Sequence, residues 1–193
     1  TLKSCAYYNP YTPTVGSNPC FEPNAVTAHT KAMAVYNQGA AIITYSGSSA
    51  TINDSAFYDN TASGYGGGLY VGGDEGGGAF ILTNSTVSGN SAGSNGGGLY
   101  LSGSQPTLNN VTIVNNTADS DSDIDQWGDG GGLYIEFIAA NISNSLIAGN
   151  FDLSIDNGIN PPLLAPDCYG AATVTSGYNL IGNAEGCGWP ANV

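Results

Sequence analysis

The sequence predicts an all-β solenoid of parallel strands, and three observations carry that prediction. One block recurs: FILTNSTVSGNSAGSNGGGLYLSG at Phe80–Gly103 is echoed by TINDSAFYDNTASGYGGGLYVG before it, and by PTLNNVTIVNNTA and GDGGGLYI after it. An apolar residue stands three places before an Asn five times, at Phe57/Asn60, Val87/Asn90, Ile113/Asn116, Ile147/Asn150 and Leu180/Asn183, with the Asn spaced by 30, 26, 34 and 33 residues. A glycine triplet followed by Leu-Tyr recurs at Gly66–Tyr70, Gly96–Tyr100 and Gly130–Tyr134. Repetition at this period marks units stacked one on another.

Each element follows from local chemistry. The segments around each Asn are short, rich in Thr, Val, Ile and Tyr, and bounded by Gly, Asn and Ser, which predicts strands of about three to six residues. No window of ten or more residues keeps a helical apolar spacing, so helices should be nearly absent. Two or three short strands per repeat make one coil, and coils pair about 4.8 Å apart. Identical positions then superpose. Leu69, Leu99 and Leu133 should form one inward stack; Phe57, Val87, Ile113, Ile147 and Leu180 should form another. The repeated Asn suits a corner, where it can adopt a left-handed conformation and bond to the Asn of the next coil. Asn60, Asn90, Asn116, Asn150 and Asn183 are therefore expected to form one ladder. The glycine triplets fit a sharp bend or a close backbone approach. The expected total is about five to six coils, a rod of roughly 25–30 Å.

These motifs carry a resemblance. F-x-x-N (Phe57–Asn60, with Val, Ile or Leu in later copies) paired with GGGLY resembles the repeats of polymorphic outer-membrane proteins, and is similar to those of secreted bacterial right-handed parallel β-helix proteins. The run from Pro166 to Cys187 resembles the segment that closes the β-helix of large bacterial surface proteins. The likeness covers about residues 50 to 187. It implies a right-handed parallel β-helix and a surface or structural role rather than a particular chemistry.

Composition narrows the function. The chain has 193 residues, two of them basic (Lys3 and Lys31) against fifteen acids, for a net charge of −13. Nucleic acid and anionic lipid would be repelled, so neither is an expected partner. No apolar run is long enough to span a membrane. A start at Thr1 is read as that of a mature or excised fragment. Cys5 with Cys20 and Cys168 with Cys187 lie as two close pairs near the two ends. They are read as disulfides tying terminal loops, with free thiols as the alternative. Disulfides imply an oxidising, secreted or cell-surface location. Sequons at Asn53, Asn84, Asn110, Asn115 and Asn141 permit glycosylation, although an Asn/Ser/Thr-rich repeat generates them by chance.

Along the chain, residues 1–30 read as an irregular, Pro- and Tyr-rich segment that either caps the first coil or reaches another molecule. Residues 31–193 read as the β-helix, with AAIIT in Lys31–Tyr45 as a degenerate GGLYL. Inserts are expected at 118–129 and 151–167. The first insert carries Asp119, Asp121, Asp123, Asp125 and Asp129, a carboxylate series suited to Ca²⁺. Residue 124 is Ile where an EF-hand has Gly, and the alternative is a solvated acidic loop. No other cofactor is expected.

Catalysis is not expected. A lyase that uses Arg or Lys beside Ca²⁺ finds no Arg here, hydrolysis needs two carboxylates in one cleft, and Asp54, Asp59, Asp74, Glu75 and Glu136 show no convincing pairing. His29 has no partner motif and reads as a loop residue. Tyr70, Tyr100 and Tyr134 should point opposite to their Leu neighbours and stack on an outer face. That face could bind a glycan or a protein, or simply brace adjacent coils. The C-terminal end shows no obvious polar cap, and an open strand edge is a template for end-to-end assembly. The expectation is a non-catalytic, secreted or cell-surface structural protein, a filament subunit or a piece of an adhesin-like stalk. Glycan binding is the alternative, and polysaccharide degradation stands third.

Overall fold

The computed structural model describes residues 29–30, 33–34, 41–44, 49–72, 79–102, 105–121, 128–154, 164–170 and 177–188. The prolines and tyrosines of the N-terminal segment, the pair Cys5/Cys20, Asp123, Asp125 and Leu163 lie outside these residues.

Among the described residues every regular element is a strand, and every strand pair is parallel. The first turn holds β1 (His29–Thr30), β2 (Met33–Ala34) and β3 (Ile42–Thr44). The second holds β4 (Ala50–Asn53), β5 (Ala56–Tyr58), β6 (Thr61–Ala62) and β7 (Leu69–Val71). In the third, β8 (Phe80–Ser88) runs through the position of β4 and β5, followed by β9 (Ser91–Ala92) and β10 (Leu99–Ser102). The fourth repeats this plan with β11 (Thr107–Val114), β12 (Thr117–Ala118) and β13 (Leu133–Glu136). The last described turn holds β14 (Asn141–Ser143), β15 (Leu146–Ala148), β16 (Phe151–Asp152) and β17 (Cys168–Tyr169), after which β18 (Leu180–Ile181) begins a further level.

Three sheets result. Two have five strands, β17-β13-β10-β7-β3 and β16-β12-β9-β6-β2, and the third has eight. Five strands in register span about four turns of solenoid, and β18 adds a partial one. The five to six coils expected from sequence overcount the about four turns that the described residues span. His29 was read as a loop residue, but it lies in β1 opposite Ala56.

The core is a set of columns. Leu69, Leu99 and Leu133 align and are fully buried, as expected, and Ile42 and Cys168 extend the column at either end. Phe57, Val87, Ile113 and Ile147 form the second column, also fully buried. Its last member is Ile181 rather than Leu180, because Ile147 pairs with Ile181. Leu180 faces outward and is 66 % exposed. Reading the spacing to Asn183 shifts this register by one residue, and a one-residue slip in a strand reverses which face a side chain takes. A third column, Ile52, Leu82, Leu108 and Ile142, and a fourth, Val71, Leu101 and Ile135, fill most of the rest of the interior.

Two corners shape each turn. The large sheet bends at Asp54, Asn84, Asn110 and Asn144, all with positive φ of 48–57°. Asn and Asp tolerate this conformation best among residues with a side chain. The second corner puts Asp59, Gly89, Asn115 and Gly149 in the left-handed region, just before the ladder Asn. The ladder Asn themselves were expected to take that conformation, but none of them has positive φ. The preceding residue makes the bend and leaves the Asn amide free to point inward.

A candidate site at the end of the tyrosine column

Four of the five expected Asn form a continuous buried ladder. The Asn60 backbone N–H and side-chain amide both donate to Asn90 Oδ1, at 3.0 and 2.7 Å. Asn90 donates in the same way to Asn116, and Asn116 to Asn150, at 2.9–3.0 Å. A second amide bond from each runs back to the preceding turn, to the carbonyls of Phe57, Val87 and Ile113. The glycine triplets make room for this ladder. A Cβ on Gly98 would fall 3.0 Å from the Asn116 amide, and Gly66, Gly96 and Gly130 supply the positive φ, 65–72°, that opens each triplet.

Asn183 is not part of the ladder. The fifth position is Asp167, whose Oδ1 accepts from the Asn150 backbone N–H and amide at 3.0 and 2.9 Å. Asp167 Oδ2 accepts from the Asn183 backbone N–H at 2.6 Å. Asp167 thus ends the ladder with a group that only accepts, while Asn183 itself is exposed. The interval read as an insert at 151–167 accordingly contributes β16 at its start and this terminating carboxylate at its finish.

The chain beyond Asp167 is tied to the core. Cys168 and Cys187 are disulfide-bonded, and both lie in the core. The Gly170 N–H donates to the Gly186 carbonyl at 3.0 Å. The turn at 184–188 therefore packs against the end of β17, and residues 189–193, on which the expectation of an uncapped end rested, lie outside the described residues.

The acidic insert divides. Asp119 is buried, Asp121 is exposed beside Gly93, and Asp129 is half-buried. Burial, with the charge of Asp152 second, pushes the Asp129 carboxyl up to about 6. Asp152 is held by the N–H groups of Ser154 and Ala165 at 3.0 and 2.9 Å. Among the described residues no three His, Cys, Asp or Glu side chains are grouped as a metal would require.

Tyr70, Tyr100 and Tyr134 stack as expected, and Tyr169, which carries no GGGLY motif, continues the column. Ring centroids are 5.1, 5.2 and 5.3 Å apart and the planes are inclined by 8°, 5° and 14°. Tyr65 leans on Tyr100 from the side at 5.1 Å. Each inner ring has both faces covered by its neighbours, so a sugar ring has no free face to stack on at Tyr100. That residue is buried, and its hydroxyl donates to Glu136 Oε2 at 2.6 Å. Burial and then Glu136 hold the Tyr100 phenol well above its ordinary range. The Tyr134 phenol is pushed up to about 12, by burial first and by the charges of Glu136 and Asp129 next.

At its C-terminal end the column opens into a pocket of about 420 Å³ lined by Tyr134, Glu136, Phe137, Tyr169, Gly170 and Gly186 among others. Phe137 is 95 % exposed and has φ of 51°. Nothing in the repeat pattern pointed to Phe137 or Tyr169. The one available signal was that Phe137 stands where the other two GGGLY copies have Gly73 and Gly103.

A family model described as a right-handed β-helix region matches residues 14–185. The chain belongs to the right-handed β-helix family. No curated protein and no solved structure shows significant similarity to it. Membership of this family agrees with the parallel ladders and the columnar core, and its match begins well before β1.

Proposed function

We propose that this β-helix is a non-catalytic structural element of a secreted or cell-surface protein, a rigid segment of an adhesin-like stalk. The observation that supports this reading is the Asn ladder. It runs without a gap through the described turns from Asn60 to Asp167, and its polar groups are spent on holding one turn to the next. The likeness of F-x-x-N and GGGLY to outer-membrane protein repeats supports the same reading, as does the disulfide Cys168–Cys187 buried in the core. End-to-end assembly into a filament is the alternative to a stalk segment.

Electron microscopy of the purified chain, with and without a chelator, tests the proposal. Single short rods under both conditions are expected. Filaments with a repeat near the solenoid length would replace the stalk by a polymer, and their dissolution by chelator would place Ca²⁺ in the joint. Incubation with a panel of polysaccharides should release no new reducing ends and no unsaturated products; turnover of any of them would overturn the non-catalytic reading.

A further inference from the structure

The pocket at the end of the tyrosine column shows two features that packing does not explain. One is Phe137, a bulky residue held in the left-handed region with its ring almost wholly in solvent. Such a φ is a genuine outlier for an aromatic residue, and sparsely populated conformations cluster at binding and switch regions. The bend at this position turns Ile138 and Ala140 toward the core, and glycine would make it at less cost. The ring itself is what needs a reason. The other feature is Glu136, a carboxylate at the pocket wall whose Oε2 is fixed by the Tyr100 hydroxyl at 2.6 Å.

Around these two groups stand the rings of Tyr134 and Tyr169 and a floor that cannot carry side chains. A Cβ on Gly170 would fall 2.0 Å from the Ile135 carbonyl oxygen, and one on Gly186 would fall 2.6 Å from the Ala165 Cβ. Aromatic rings beside one carboxylate attract a weakly hydrated organic cation, by ring quadrupole and by charge. The rest of the chain reinforces that sign, with fifteen acids against two basic residues.

We propose that the pocket formed by Tyr134, Glu136, Phe137, Tyr169, Gly170 and Gly186 binds the ammonium or guanidinium head of a lysine or arginine side chain on a basic partner polypeptide. Glu136 faces the charge, and Phe137 closes over the aliphatic stem. A strained, exposed aromatic beside a positioned carboxylate is thereby given a use, and the net charge of the chain draws such a partner in.

The test titrates the full chain with Nα-acetyl-lysine amide and Nα-acetyl-arginine amide, followed by amide chemical shifts in NMR. Nα-acetyl-norleucine amide serves as a neutral, apolar control, and neutral oligosaccharides as a third arm. The cationic probes should shift Phe137, Tyr169 and Gly170, and norleucine amide should bind about tenfold more weakly. Phe137→Gly should weaken lysine binding about tenfold while raising the unfolding midpoint, because glycine relieves the positive φ. Glu136→Gln should weaken it similarly with the fold intact, since the Gln carbonyl can still accept from Tyr100. Equal binding of the norleucine control would overturn the proposal, as would shifts confined to other residues or no binding at all. Oligosaccharide binding at these residues in place of the cations would overturn it in favour of a glycan, and undiminished binding in Phe137→Gly would remove Phe137 from the site.

Discussion

The Asn ladder and the tyrosine column each place one residue per turn and climb the same solenoid, yet they solve different problems. In the ladder every donor finds an acceptor one turn away, water is excluded, and a carboxylate that cannot donate ends the series. In the column the rings touch face to face, the Tyr100 hydroxyl donates to Glu136, and Tyr169 meets a pocket. The difference teaches where function can sit in such a fold. A ladder whose groups all satisfy one another has nothing left to offer a ligand. A stack leaves ring edges and one end exposed.

The comparison can be broken first at the ladder. Asn116→Ala removes the acceptor for two Asn90 donors and the donor to Asn150 and Val87. Buried groups left without partners bear their desolvation cost uncompensated, so a loss of about 3 kcal/mol is expected in chemical denaturation. A loss below about 1 kcal/mol would mean that water replaces the amide and the ladder is not what holds the turns.

The column should give way more gently. Tyr100→Phe keeps the stack and removes only the hydroxyl bonded to Glu136. A loss of about 1.5 kcal/mol is expected, at the low end for a bond to a charged group because Glu136 regains water. A loss as large as that of Asn116→Ala would make the two series equivalent and undo the contrast.

The smallest effect sharpens the link between column and insert. Asp129 has a folded-state value of about 6, above its ordinary 3.8, because of burial and then Asp152. The folded state therefore binds a proton more tightly than the unfolded state. Stability contributed by the protonated carboxyl is fully present below about 3.8 and is lost as pH rises through about 6. Asp129→Asn should abolish that slope and raise stability at neutral pH by under about 1 kcal/mol, after allowance for solvent screening of a half-exposed group. Denaturation midpoints at pH values either side of this window read it directly, and an unchanged slope in the variant would assign the pH dependence to another group.

Much of this architecture was legible before any coordinates. Leu69, Leu99 and Leu133, and Phe57, Val87, Ile113 and Ile147, were named as inward columns from their recurrence, because a stacked repeat must superpose its apolar positions. Asn60, Asn90, Asn116 and Asn150 were named for the same reason. Legibility ended where the repeat ended. Asn183 resembled the fifth ladder residue by local spacing, but the register of β15 with β18 gives that role to Asp167, seventeen residues from Asn150 along the chain. The left-handed corner was assigned to the Asn itself, whereas the residue before it takes the strain. Tyr169 joins the column without its motif, and Phe137 is marked only by standing where the other two copies have Gly73 and Gly103.

The sequence by itself determined the period, the strand-rich turns, the columns of like residues and the acidity of the surface. These are properties of the repeat, and each copy states them again. Only the tertiary structure decided what departs from the repeat: that Asp167 takes the fifth ladder place, that Cys187 joins the core beside Cys168, and that the aromatic column opens onto Glu136 and Phe137. The physical reason is that a repeat fixes contacts between identical neighbours, while a place where the repeat is broken has no identical neighbour. Its contacts come from residues far apart along the chain that meet only once the turns are stacked.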